Sequence, residues 1–433
     1  MILSNYCIIY DYDREHCLLF STKKAASIRI PKAMLKDIEE GSISDEERTT
    51  LAEIGLLVDD PAAEREEMIR FLDELNSINT VFRATLVMNL DCNLACSYCF
   101  EGTRKGPYFM TRETADNLIA FIKAALTPTE KELRVTFYGG EPLLSIERVM
   151  YLSEGLMTLA RERGLRYSSS LITNGTLLTP SVVKRLTPLG LKTAVVTLDG
   201  PQNTHNHCRP FKGGSGSFST IIRNLKDVRD LVDIQIGGNY MKENFKEFPV
   251  LLDLLADAGL TPEKVSSVLF DPVTNEREGV APPDFHGGCS SINEPWLVEA
   301  SIFLREEVLR KGYRTQKVVP VRCMMETDAA VVVNYDGSLY KCPGMLGRRD
   351  FRVGDVTGGM IDCEESHSLA AWKNDECLAC RYLPLCFGGC RYVKFIRDGD
   401  MNGVDCKKPY FDAALESLVK QDMRFASPDN GLL

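Results

Sequence analysis

No run of about 18 uncharged apolar residues occurs in this 433-residue chain, so no membrane-spanning helix is expected. The amino terminus has no basic segment followed by an apolar run and a small-residue cleavage site. Export is therefore not expected either, and the sequence predicts a cytoplasmic protein. Positive charge is in short supply: 51 Lys and Arg stand against 61 Asp and Glu, a net charge of −10. A nucleic-acid partner, whose phosphates demand a basic surface, is not expected. There is no internal repeat and no low-complexity tract. The apolar fraction of 44% and charged fraction of 26% are those of a globular protein, long enough for two or three units. Cysteine, by contrast, is plentiful, with fifteen residues. A reducing cytosol keeps thiols free, so these read as metal ligands or redox groups rather than disulfides.

From residue 84 apolar strand candidates alternate with helical patterns. The strands are expected at 84–90, 133–138, 166–173, 193–199, 233–241 and 264–273, and the helices at 112–126, 146–163, 218–231, 244–258 and 294–311. Six strands each followed by a helix predict an α/β unit, an open and partial (β/α)6 TIM-like barrel over about 80–312. Residues 1–75 read differently. Short strands in "YCIIYDYD", "HCLLFST" and "SIRIP" precede helices near 32–40 and 44–55, a winged-helix-like pattern closed by a linker, "DDPAAEREE". Twelve acidic against five basic residues over 31–70 turn that shape away from DNA. From about 320 to 410 the helical period fades and eight cysteines fall within 84 residues, which predicts a region held together by metal. Residues 411–433 read as a helix and tail.

The stretch "DCNLACSYCF" sets Cys92, Cys96 and Cys99 at C-x3-C-x2-C. Structural zinc sites normally have four protein ligands, and no nearby His or Cys completes this set. A four-iron cluster held by three thiolates keeps one iron open for something that reacts.

These residues resemble the signature of radical S-adenosylmethionine (SAM) enzymes, including Tyr98 before the third cysteine. In that family the open iron is chelated by the methionine part of S-adenosylmethionine, and an electron from the cluster yields a 5′-deoxyadenosyl radical. "FYGGEPLL", with Gly139, Gly140, Glu141 and Pro142, resembles the family's GGEP segment, which binds the methionine amino group. "LITNGTLL" and "VTLDGPQNTHNHCRP" continue the resemblance. They place Ser170 or Thr173, with Asn174, near the ribose, Asp199 near the site, and Arg209 opposite the cofactor carboxylate, a role suited to its forked donors. Each of these residues also has an ordinary reading as a turn or cap.

The tail order, Cys323-x13-Gly337-x4-Cys342 and then Cys377-x2-Cys380-x5-Cys386-x3-Cys390 with Cys406 last, resembles the SPASM domain of radical enzymes that modify peptides. The resemblance implies one auxiliary cluster on Cys377, Cys380, Cys386 and Cys406, and three ligands, Cys323, Cys342 and Cys390, to another. Three 4Fe-4S clusters would then be present. Where some relatives carry an extra cysteine this chain has Ala329, so Cys363 completes the first auxiliary cluster or that cluster keeps an open iron. A zinc ribbon on any four tail thiols is the physical alternative. Cys7, Cys17, Cys208 and Cys289 are read as buried structural thiols.

The resemblance implies a maturase acting on a ribosomally made precursor peptide. Its leader would bind the amino-terminal module, a flavodoxin or ferredoxin would supply electrons, and the product would be a crosslink, most plausibly a Cys thioether, as in geopeptide maturases. The alternatives are an anaerobic sulfatase-maturing, formylglycine-forming enzyme and a non-catalytic electron carrier. Glu141, Asp199 and Asp271, carboxylates near strand ends, are alternative candidates for a general base.

Overall fold

The structure is a computed structural model that describes residues 2–77, 80–274, 288–320 and 323–425. The amino-terminal region holds β1 (Ile2–Leu3), β2 (Cys7–Asp11), β3 (His16–Ser21) and β4 (Ala26–Pro31), then α1 (Lys32–Glu40), α2 (Asp45–Glu53), β5 (Leu57–Val58) and α3 (Pro61–Ser77). Strands β2, β3 and β4 form an antiparallel sheet in that order, and β1 pairs with β5. The start of α2 is written locally: Ser44 and Glu47 cap each other reciprocally, which satisfies two otherwise orphaned amides. The expected linker "DDPAAEREE" is instead the first part of α3. Pro61 suits a first helical turn, where its missing N–H would have no partner in any case, and the Asp60 carboxylate accepts from Ala62 N at 2.8 Å.

The six expected barrel strands follow as β6 (Val81–Val87), β7 (Glu132–Tyr138), β8 (Arg166–Thr173), β9 (Leu191–Thr197), β10 (Asp233–Tyr240) and β11 (Val265–Pro272). Between and after them run α4 (Arg112–Ala125), α5 (Ile146–Glu162), α6 (Pro180–Leu186), α7 (Gln202–Cys208), α8 (Phe218–Val228), α9 (Phe248–Asp257) and α10 (Pro295–Arg310). All six strands pair in parallel with their sequence neighbours, an open partial barrel. The helices bury one face each against it. On α5, for example, Val149, Leu152, Leu156 and Leu159 recur at helical spacing and are buried, each contributing on the order of 2 kcal/mol.

The sheet has eight strands rather than six. Beyond β6 it continues into β12 (Ala330–Val333), parallel to β6, and β13 (Leu339–Tyr340), both from the cysteine-rich region. That region goes on through β14 (Gly354–Asp355), β15 (Gly359–Met360), α11 (Asp375–Leu378), α12 (Leu383–Cys386) and α13 (Arg391–Asp398) to α14 (Lys408–Arg424). The helix expected within 411–433 is α14, and residues 426–433 lie outside the described ones. The amino-terminal sheet has two apolar faces. Cys17, Leu19 and Ile30 pack on α1 and α2, while Ile8, Leu18 and Phe20 pack on Tyr382, Leu385, Leu415 and Val419. No helix among the described residues is long and apolar enough to cross a membrane.

Candidate active site

The carboxyl ends of parallel strands expose loops where ligands gather. After β6 the chain leaves the sheet and is stitched to the loop after β7: Gly140 N donates to Asn89 O at 3.0 Å and Glu141 N to Asp91 O at 2.8 Å. Glycine is required at this seam. Gly139 has φ +147°, and a Cβ on Gly140 would lie 2.1 Å from Asp91 O. The seam fixes the segment that carries Cys92, Cys96 and Cys99. All three thiols line one cavity of about 250 Å³ with Tyr98, Gly139, Gly140, Thr173, Asn174, Arg209, Glu101 and Lys105 among its walls. Burial pushes the Cys92 thiol up to about 11, so a thiolate there needs a cation to hold it. Lys105 lies among the three thiols: burial pulls its ammonium down, but Cys99, Cys96 and Cys92 outweigh that and raise it.

Glu141 is wholly buried. One carboxylate oxygen accepts from Thr173 Oγ1 at 2.8 Å and Leu143 N at 3.1 Å, and the other accepts from Asn174 N at 2.8 Å. It clamps the β7 loop to the end of β8. This corrects the expectation of a general base, since both oxygens are taken and neither faces the cavity. Asn174, held in this way, reaches the Cys92 sulfur through Nδ2 at 3.7 Å.

Asp199 is also enclosed. It accepts from Asn239 N at 2.7 Å and from the Tyr98 hydroxyl, and its second oxygen lies 3.7 Å from Arg209. Its role as a base is corrected for the same reason. Arg209 donates to Tyr98 Oη at 2.7 Å, while its Nε is buried without a partner. His205 braces the group: Nδ1 accepts from Asp199 N at 3.2 Å, and Nε2 lies 3.0 Å from Ser217 Oγ, which donates to Arg209 O at 2.6 Å. Burial, then the Arg209 charge, pulls the His205 imidazole down to about 3, so it stays neutral as this bonding requires.

Three further residues lie off the cavity wall, while Thr173, the alternative to Ser170, lies on it. Ser170 pairs with Thr136 Oγ1 at 3.1 Å and does not line the cavity. Pro142 is buried at the start of a short turn behind the glycines. Asp271, at the end of β11, is exposed and off the cavity wall, although the protein around it raises its carboxyl above the ordinary value through desolvation. The sequence reading missed Glu101, Lys105, Asn239 and His205. Their signals were a charge directly behind the cysteine triplet, an Asn at a strand's carboxyl end, and a His within the already singled-out "NTHNHCRP".

In the tail, Cys377, Cys380, Cys386 and Cys406 line a second cavity of about 730 Å³. The sequence brings the distant Cys406 there through Gly388 and Gly389. Asp405 N donates to Gly388 O at 2.9 Å, and a Cβ on Gly389 would lie 1.9 Å from Asp405 O. Cys323, Cys342 and Cys390 act on one another electrostatically, beside the buried Arg391. Cys363 packs with the barrel-side core, and the charged groups acting on it include Lys341, which Cys323 also acts on. Among the described residues no three His, Cys, Asp or Glu groups converge closely enough for a single ion.

The donor set fits a SAM-binding iron-sulfur cluster on Cys92, Cys96 and Cys99: three thiols, no fourth Cys and no His on the described wall, a close-packed glycine seam, and an unpartnered Arg209 donor suited to a carboxylate. Residues 86–255 match the family model described as the Radical SAM superfamily, so this chain carries a radical SAM domain. Among curated proteins it is similar to the radical SAM cyclopropyl synthase TigE of Paramaledivibacter caminithermalis, 23% identical over 75% of this chain and 71% of that protein. It is likewise similar to a cysteine-type anaerobic sulfatase-maturating enzyme of Clostridium perfringens, 23% identical over 76% of this chain and 94% of the other. Of solved structures, anSMEcpe with bound AdoMet and Kp18Cys peptide superposes with TM-score 0.61 at 20% identity, over 79% of this chain and 99% of that one. Streptococcus suis SuiB bound to precursor peptide SuiA superposes with TM-score 0.55 at 13% identity, over 94% of this chain and 98% of that one.

Proposed function

We propose that this enzyme is a maturase of a ribosomally made precursor peptide and that its product is a crosslink, a Cys thioether. The observation that carries this reading is the extent of the fold match. The SuiB comparison covers 94% of the chain and the anSMEcpe comparison 79%, a difference of about the size of the amino-terminal module. A sulfatase-type maturase is the second reading, favoured by the TM-score of 0.61, but it gives that module no task. Among the described residues β4 pairs on one side only, with β3, so its outer edge is open to strand addition by a leader. The acidic first turn of α2, Asp45, Glu46 and Glu47, favours a leader bearing basic residues.

The cluster and SAM, when bound, supply a hydrogen-abstracting 5′-deoxyadenosyl radical. The chain's own residues do the rest. Cys92, Cys96 and Cys99 would hold the iron, Arg209 Nε would receive a carboxylate, and Asn174 and Thr173 are fixed at the wall by Glu141. Two auxiliary clusters would sit at the tail sites, one on Cys377, Cys380, Cys386 and Cys406 and one at Cys323, Cys342 and Cys390. A flavodoxin- or ferredoxin-type reductant would supply electrons in a cytoplasmic setting. A pure carrier needs neither the glycine seam nor an Arg209 Nε left without a partner.

The test is iron content together with SAM cleavage in anaerobically reconstituted protein. About twelve irons, falling to about eight in a Cys92→Ala/Cys96→Ala/Cys99→Ala variant that no longer releases 5′-deoxyadenosine, is the expected result. Cleavage that survives in the variant would sink the catalytic assignment. About four irons in the parent protein would remove the auxiliary clusters and with them the case for thioether chemistry.

A further inference from the structure

Two buried polar groups on the wall of the thiol-lined cavity have no partner in the protein: Nε of Arg209 and both carboxyl oxygens of Glu101. Glu101 is 4% exposed, so water does not serve it from outside. Its backbone is held as well: it caps the short turn Gly102–Arg104, and its carbonyl accepts from Arg104 N at 2.8 Å. Arg104 donates to Leu346 O at 2.6 Å and Phe100 O at 2.5 Å, and Lys105 and Arg104 act on Glu101 as nearby charges without a hydrogen bond to its carboxyl. A buried carboxylate without donors is costly, so such a group is kept where a ligand brings the donors.

We infer that Glu101 is a ligand-positioning residue whose carboxylate accepts hydrogen bonds from the N–H or O–H donors of S-adenosylmethionine held in this cavity. The two orphans are complementary. S-adenosylmethionine carries a carboxylate, which suits the Arg209 donor, and an α-ammonium and two ribose hydroxyls, any of which suits an acceptor. Its sulfonium adds positive charge that a nearby carboxylate in a water-poor cavity also favours. Tyr138 and Phe100, stacked with ring centroids 6.3 Å apart, share the wall with Glu101. The inference rests on the radical SAM assignment and adds to it a residue outside the glycine segment and the strand-end polar groups.

The experiment uses the full chain, anaerobically reconstituted, with Glu101→Gln and Glu101→Asp variants. Binding of S-adenosylmethionine, methionine and 5′-deoxyadenosine is measured separately by equilibrium dialysis, beside iron content. Glu101→Gln should bind S-adenosylmethionine about tenfold or more weakly with iron unchanged, and Glu101→Asp should fall between it and the parent. The loss should reappear in one half only: in methionine if the ammonium is the donor, in 5′-deoxyadenosine if the hydroxyls are. Unchanged S-adenosylmethionine affinity overturns the inference while leaving the enzyme class intact, provided the parent still binds it. Equal loss for both halves, or loss of iron, would show a disturbed cysteine loop and overturns it too.

Discussion

Replacing Glu141 with Gln separates a clamp from a catalytic base. The carboxylate receives three donors, Leu143 N, Thr173 Oγ1 and Asn174 N. Hydrogen bonds to a charged group contribute roughly 1.5–3 kcal/mol each, against 0.5–1.5 kcal/mol for neutral pairs. Gln keeps the shape but removes the charge, and its amide NH2 must face at least one donor that then has no acceptor. The local loss is about 3 kcal/mol, on the order of a hundredfold in an opening equilibrium. Native-state hydrogen exchange at the Asn174 and Leu143 amides reads this directly, and it avoids treating a multi-part protein as two-state. Exchange about a hundredfold faster at those two amides, with core amides of β8 unchanged, is expected. If protection is unchanged and SAM cleavage is lost, the carboxylate has a chemical role and the clamp argument fails.

Other perturbations follow from the same geometry. Gly140→Ala puts a Cβ 2.1 Å from Asp91 O. It should pry the β7 loop off the cysteine segment and lower iron content by the share held by Cys92, Cys96 and Cys99, with tail iron kept. Arg391 and Glu326 form a buried ion pair at 3.0 Å, their side chains 1% and 6% exposed. Arg391→Ala should cost about 3–5 kcal/mol, whereas the pair Arg391→Met/Glu326→Leu should recover much of it in denaturant unfolding. Asp355 is held down to about 2 from 3.8 by Thr357 Oγ1 and by the amides of Gly358 and Thr357. Because the folded value lies below the unfolded one, its contribution is full above about pH 4 and is lost as pH falls toward 2. The amide shifts of Thr357 and Gly358 should titrate in that window, and a midpoint near the ordinary value would refute the capping reading.

The cysteine triplet and the glycine segment could be read from sequence because ligand chemistry fixes residue type and spacing within a few positions. The barrel strands could be read because each is a short apolar run. Even so, the first was placed at 84–90 instead of Val81–Val87: the apolar residues Met88 and Leu90 continue past the point where the chain leaves the sheet. Strand β12 could not be foreseen. "AVVV" is apolar, but nothing local says that it will pair with β6, some 250 residues earlier. The clamps on Glu141 and Asp199 were invisible for a similar reason: a carboxylate at a strand end looks alike whether it faces a substrate or amide and hydroxyl donors of the protein.

The amino-terminal sheet is not a bead on a string. Tyr6 Oη donates to Leu378 O at 3.2 Å and Thr22 Oγ1 to Arg381 O at 2.7 Å, and Ile8, Leu18 and Phe20 lie against Tyr382 and Leu385. The two ends of the chain thus share one core, and the barrel is the long insertion between them. Anyone trimming the amino-terminal sheet away would bare an oily face on both pieces, so it is exchanged only together with the cysteine-rich region and α14 on which it packs.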